Sequence, residues 1–212
     1  MKRITFCALL MTLFLLMSCN NSASSPKDGQ AAKSDGTLID LKSVSSKITE
    51  AVAFAKSVKD VHTLVKSIDE LAKAIGKKVD NAGKLADDAD KDKNGSLVAG
   101  VYSVVLDIQT KLVALETKIN DNELKKQVTE AKTSSTEFIN KVKGANATLG
   151  KNDAKADDAK KAIDRTSQPN GDKGAEELGK LNTAVDALLK AADAAVESAI
   201  KELTTSVKPS NI

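Results

Sequence analysis

The sequence predicts an all-α protein, an elongated up-and-down helical bundle with one very long first helix and a long last helix. Three observations carry that expectation. Ala, Lys, Leu, Val and Asp dominate a chain of 212 residues that holds only three prolines, so helix formers set its tone. Apolar or small residues recur at steps of three and four over long stretches, the repeat of a helix with one buried face. No stretch alternates convincingly with a period of two, so little or no sheet is expected.

The chain opens with Lys2 and Arg3, and residues 4–17 are apolar except for Thr5 and Thr12. That run is shorter than the roughly twenty residues a membrane-crossing helix needs, so a cleaved signal is the better reading. Leu16-Met17-Ser18-Cys19 then places a large apolar residue three before a cysteine and a small one directly before it. This is the pattern of a bacterial lipoprotein signal: the chain is cut between Ser18 and Cys19, and the Cys19 sulfur takes a lipid. Met17 stands where a small residue is usual. The alternative is an ordinary secretory signal with incidental cysteines. With the cut, Cys7 leaves and Cys19 is alkylated, so no free thiol, disulfide or cysteine metal ligand remains. One acyl chain holds a protein only marginally, but bacterial lipoproteins normally carry more than one, and stable attachment to a membrane is expected.

Residues 1–18 are thus expected as signal peptide and 19–36 as a flexible tether, rich in Asn, Ser, Gly, Lys and Asp, with a root-mean-square span of roughly 25 Å. The bundle is expected over residues 37–205, and 206–212 as a disordered tail containing Pro209. Removing Lys2 and Arg3 leaves 30 basic side chains against 29 acidic ones. So even a balance gives no footprint for nucleic acid, and no aromatic stacking platform accompanies it. Phe54, Phe138 and Tyr102 are the aromatic residues beyond the signal, so the core must be aliphatic.

The first helix follows Thr37-Leu38-Ile39-Asp40, which has the Thr-x-x-acid spacing of a helix start. Its stripe reads Leu41, Val44, Ile48, Ala51, Ala55, Val58, Val61, Val65, Ile68, Ala72, Ile75 and Val79. About forty residues at about 1.5 Å each make a rod of about 60 Å, which needs partners along its whole length. Residues 76–95 read as a surface loop, with Gly83 and the pair Asn94-Gly95. Leu97, Val101, Val104, Ile108, Leu112, Leu115 and Ile119 mark a second helix, ended by Asn120-Asp121-Asn122. Leu124, Val128, Ala131, Ser135, Phe138 and Val142 mark a third. Residues 144–152 read as loop, 153–164 as a weaker helix carried by Ala159 and Ile163, and 166–174 as a second exposed loop. The last helix is expected over 175–203, with Glu176 and Glu177 in its first turn, where the helix dipole favours acids, and the stripe Leu178, Leu181, Val185, Leu188, Ala192, Ala195, Ala199, Leu203. First and last helices then bring both chain ends to one end of the bundle.

Candidate chemistry is sparse, and no enzyme, cofactor or metal is expected. His62 is the one histidine and has neither a cysteine nor a signature serine beside it, so it reads as an ordinary helical residue rather than a general base. Asp90-Lys91-Asp92-Lys93-Asn94-Gly95 opens like an EF-hand calcium loop, but Val98 and Val101 occupy its ninth and twelfth ligand positions, and a turn before a helix is the better reading. Three lysine clusters carry the functional promise: Lys73, Lys77 and Lys78; Lys141, Lys143 and Lys151; Lys155, Lys160 and Lys161. Such clusters attract polyanions such as glycosaminoglycans by a salt-sensitive field. Their alternative is a solvated face beside Asp153, Asp157 and Asp158.

Several blocks together resemble a known family. The signal through Leu13-Phe14-Leu15-Leu16-Met17-Ser18-Cys19-Asn20-Asn21-Ser22, then Lys73-Ala74-Ile75-Gly76-Lys77-Lys78, Asn94-Gly95-Ser96-Leu97-Val98-Ala99-Gly100-Val101-Tyr102 and Lys173-Gly174-Ala175-Glu176-Glu177-Leu178-Gly179-Lys180-Leu181 are similar to the variable small protein and outer surface protein C family of spirochaete surface lipoproteins. The resemblance runs along essentially the whole chain and is nearer to the variable small proteins. It implies an abundant antigen held on the outer membrane by lipid on Cys19, a helical homodimer, and roles in antigenic variation, immune evasion and adhesion to host polyanions or proteins. Outer surface protein C has a further cysteine in the stretch matching residues 131–138, where this chain has Ser134, so the resemblance implies no covalent link between subunits there. The loops at 79–93, 144–153 and 166–172 correspond to regions that differ among members, and antibodies are expected to meet them first. A long first helix whose stripe exceeds what its own neighbours cover is also a physical reason to expect a two-fold dimer through that helix. The alternative function is a structural or periplasmic helical lipoprotein without a host ligand.

Overall fold

A computed structural model of the chain describes residues 30–32 and 38–204. The signal, Ser18, Cys19, the remaining tether residues and the tail lie outside the described residues. The chain divides into two units. In the first, β1 (Gln30–Ala32) pairs antiparallel with β2 (Leu38–Asp40), Ala31 opposite Ile39. The stretch read as the end of the tether and the start of a helix therefore contains a short antiparallel strand pair. Asp40 accepts the Lys42 amide at 3.0 Å, so the acid of the Thr-x-x-acid string itself satisfies one of the free amides at the helix start.

The second unit spans residues 43–205 and is the bundle. Its first helix, α1 (Leu41–Ala72), buries Val44, Val58, Val61, Val65, Ile68 and Ala72 on the expected stripe. It has 32 residues, about 48 Å at about 1.5 Å per residue, and stops short of the forty expected. Gly76 ends the run with φ +67°, a left-handed conformation that glycine takes without a Cβ penalty. Val79, expected at the foot of the buried stripe, is instead 70% exposed on β3 (Lys77–Val79), which pairs antiparallel with β4 (Leu85–Asp87). The connecting turn is held by Asp80, whose side chain accepts the amides of Ala82 at 2.9 Å and Lys84 at 2.8 Å.

α2 (Gly95–Glu116) buries Val98, Val101, Val105, Ile108, Leu112 and Leu115. The buried face is thus rotated by one residue at Val98 and Val105 from the expected Leu97 and Val104, both of which are half-buried against the core. Among the described residues α2 is the one helix long and apolar enough, by length and composition, to cross a membrane. Its complete burial at Val101, Val105, Ile108 and Leu112 is that of a core helix. α3 (Asn122–Gly144) starts where Asp121 accepts the Leu124 amide at 2.9 Å, and buries Val128, Ala131, Ser135, Phe138 and Val142 of the expected stripe, with Leu124 at its head half-buried. The region 144–164 forms one turn, α4 (Asn146–Leu149), and a short helix, α5 (Ala156–Ile163), whose Ala156, Ala159, Ala162 and Ile163 are buried. α6 (Ala175–Thr204) buries Leu178, Leu181, Val185, Leu188, Ala192 and Ala199, with Val196 taking the place expected for Ala195.

Polar pairs fix the helix directions. Lys47 and Glu202 meet at 3.0 Å, His62 and Asp186 at 2.9 Å, and Lys66 and Asn182 at 2.7 Å, so α1 and α6 run antiparallel in one constant register. Gln109 donates to Thr136 at 2.8 Å, and Glu116 receives Thr129 at 3.2 Å, which makes α2 and α3 antiparallel. The most extensive helix contact is that of α3 with α6, and one aliphatic core with Phe138 as its largest buried side chain joins all four long helices. The start of α1, the end of α6 and the α2–α3 turn share one end of the bundle. The β3–β4 hairpin, α4, α5 and the start of α6 form the other.

Candidate functional site

The end carrying the hairpin and short helices is built on Asn94, which is 3% exposed. Its Oδ1 accepts the Gly76 amide at 2.9 Å, while Nδ2 donates to the carbonyls of Lys91 at 2.8 Å and Ala154 at 2.9 Å. One side chain therefore joins the exit of α1, the segment before α2 and the segment before α5. Asp92 accepts the Ala156 amide at 2.9 Å, and Asp90 is paired with Lys93. The Asp-x-Asp-x-Asn-Gly string is a structural staple, its second and third acceptors turned toward backbone amides and Val98 and Val101 sunk in the core. The described residues contain no group of three His, Cys, Asp or Glu side chains placed to share a metal ion.

Gly95 sits against the backbone of the next segment. A Cβ there would lie 2.1 Å from the Lys151 carbonyl oxygen, so a side chain at this position is excluded while residues 151–152 rest on the first turn of α2. Between that turn, the end of α3 and α4 opens a cavity of about 590 Å³. Val98, Val142 and Leu149 supply buried apolar atoms, Tyr102 a half-buried ring, and Ser96 and Asn146 polar groups. Lys143 and Lys151 belong to the lining, and no carboxylate does.

The three lysine clusters fare differently. Lys73 is paired with Glu70 at 2.7 Å, Lys77 with Asp87, and Lys78 with Asp88 at 4.0 Å, so the first cluster is locally neutralised. In the second, Lys141 is drawn toward the buried Glu177 at 3.7 Å, whereas Lys143 and Lys151 make no ion pair among the described residues and are brought together at the cavity. In the third, Lys155, Lys160 and Lys161 likewise make none, although Asp157 and Asp158 occupy the same short helix, and Asp158 is engaged by Lys173 at 3.2 Å. Pairing of this kind is invisible in a sequence, which shows clusters but not their partners.

His62 is half-buried on α1, and its Nε2 meets Asp186 Oδ1. Asp186 also receives the Asn182 amide at 2.9 Å and lies 3.6 Å from the Lys66 ammonium. Burial alone would raise the Asp186 carboxyl, but the Lys66 charge and the bonds from His62 and Asn182 outweigh it and hold the group below the ordinary carboxylate range. This cluster ties two helices together. It holds no nucleophile for the histidine to activate.

Fold and site together define a helical bundle that presents charged, shaped surface at one end and sets the start of α1 beside the end of α6 at the other. A family profile described as lipoprotein matches residues 38–209. Variable small protein 11 of Borrelia hermsii is 47% identical over 210 residues, covering 98% of each chain, and outer surface protein C of Borreliella burgdorferi is 47% identical over 209 residues, covering 98% of this chain and 96% of its own. The solved structure of variable small protein 1 of Borrelia turicatae superposes with a TM-score of 0.72 at 57% identity, covering 77% of this chain and 99% of that one. The chain belongs to this lipoprotein family, which includes the variable small proteins and outer surface protein C. It is a lipid-anchored protein of the outer-membrane surface.

Proposed function

We propose that the protein is a surface antigen serving antigenic variation and immune evasion, tethered by lipid on Cys19 after cleavage at Ser18, and that its outward end adheres to host polyanions of the glycosaminoglycan kind or to host proteins. The observation that carries this reading is the pairing of Lys47 with Glu202. It sets the start of α1 beside the end of α6, so a lipid upstream of α1 holds that end toward the membrane and turns the lysine-bearing end outward. Lys143 and Lys151 make no ion pair there among the described residues, which supports a cationic adhesive surface.

The proposal includes a two-fold homodimer. Val52 on α1 and Leu106 and Val113 on α2 are 38%, 40% and 46% exposed, apolar surface of the kind a second copy covers. Antibodies are expected to bind the loops at the outward end. Protease treatment of intact cells, followed by salt-graded elution of the protein from heparin, tests the reading. Removal by protease and release at moderate salt support it, while passage through heparin at low salt favours a helical lipoprotein without a polyanionic ligand.

A further inference from the structure

We propose that the cavity between α2, α3 and α4 is a subsite for a single acidic sugar unit, a carboxylated or sulfated ring seated on an apolar floor and held by Lys143 and Lys151. Five features of the site carry this. Its volume of about 590 Å³ is of the size that ligand pockets have. Val142 and Leu149 with the ring of Tyr102 form a floor suited to the C–H face of a sugar, a surface that a bare inorganic anion has no use for. Ser96 and Asn146 supply groups able to bond hydroxyls. The charged side chains of the lining are two lysines and no carboxylate, so the lining itself presents only positive charge to an acid group. The first turn of α2 adds its positive dipole end to the same side, and Asn94 leaves that turn without a side-chain cap because its own side chain is spent on Gly76, Lys91 and Ala154.

This inference rests on the polyanion reading above and narrows it from a diffuse charged surface to one shaped place. A diffuse surface gains affinity from any lysine and loses it smoothly with salt. A subsite depends on shape, so filling it without touching charge weakens binding.

The test is calorimetric titration of the full-length lipidated protein in detergent micelles with a trisulfated heparin disaccharide. Binding is expected, at least tenfold weaker in the Lys143→Gln/Lys151→Gln double variant and equally weakened in Ala99→Phe, which fills the cavity from an exposed position of α2 without altering charge. Unchanged thermal unfolding checks that each variant is folded, and Ser96→Phe, which fills the same cavity from another exposed position without altering charge, decides the matter if Ala99→Phe is not. Binding to Ala99→Phe as tight as to the unaltered protein, or no binding of the disaccharide at all, overturns the subsite. Retention on heparin, run in parallel, separates the two readings: a protein that holds heparin but shows no cavity-dependent disaccharide binding keeps the polyanion function and loses this site. Cavity-dependent disaccharide binding without heparin retention does the reverse.

Discussion

His62 on α1 and Asp186 on α6 meet at 2.9 Å across an antiparallel seam, in the register that also joins Lys66 to Asn182 and Lys47 to Glu202. In a bundle whose apolar stripes allow neighbouring helices to slide by a turn, such pairs select one alignment. Their position rather than their strength is what matters, since exposed pairs of this type contribute about 1 kcal/mol or less.

The pH dependence follows from the Asp186 carboxyl. Its folded value is held below the ordinary 3.8 of an unfolded chain, so the ionised group stabilises the fold fully above that value and the contribution is lost as pH falls through the lower folded value. Asp186→Asn is therefore expected to cost no more than about 1 kcal/mol at neutral pH and to flatten the decline of the melting temperature in acid. Melting curves between neutral and strongly acid pH check this. An unchanged acid slope in the variant would assign the decline to other carboxylates.

Asn94→Ala removes three hydrogen bonds from a nearly buried position. A loss of about 1–3 kcal/mol is expected, because the Gly76 amide loses its acceptor at a partly buried position, while the Ala154 carbonyl keeps the Asn94 backbone amide at 3.1 Å. Hydrogen exchange is expected to quicken at Gly76 and along the β3–β4 hairpin before the long helices are affected.

Gly95→Ala places a methyl carbon 2.1 Å from the Lys151 carbonyl oxygen. Residues 151–152 must move away from α2, at an expected cost of about 1–3 kcal/mol, despite the better helix propensity of alanine. Equilibrium denaturation measures it, and a stabilised variant would show that the segment retreats without cost.

Two apolar residues on either side of the turn at Gly76 separate burial from hydropathy. Ile68→Ala is expected to cost about 2–5 kcal/mol, since the side chain is 1% exposed in the core. Val79→Ser, on a strand where the valine is 70% exposed, is expected within about 0.5 kcal/mol of the unaltered protein. Comparable losses for both would restore Val79 to a buried stripe.

How far such features can be read from residues alone depends on how many faces of an element are apolar. α3 is legible because Val128, Ala131, Ser135, Phe138 and Val142 stand on a helix whose other large apolar side chains are only Leu124 and Ile139. On α2 the neighbours Leu97 and Val98, and Val104 and Val105, offer two apolar faces, and only the tertiary packing chooses between them. The exit of α1 misled for a related reason: Val79 continues the period numerically, yet Gly76 has already turned the chain, and three-residue strands are too short to show alternation. In the candidate site, the Lys141, Lys143 and Lys151 cluster was visible as charge. That Glu177 draws Lys141 away depends on α6, and that Lys143 and Lys151 reach one cavity depends on the first turn of α2, both far along the chain. The three-way staple at Asn94 depends on residue 154 and left no mark in its own neighbourhood.

Intact mass measurement of the protein extracted from its native membrane tests the central claim most directly. A polypeptide beginning at Cys19 and heavier than its residues by several acyl chains is expected. An unacylated chain, or one that begins at any other residue, would contradict a lipid-held bundle with its lysine-bearing end turned outward.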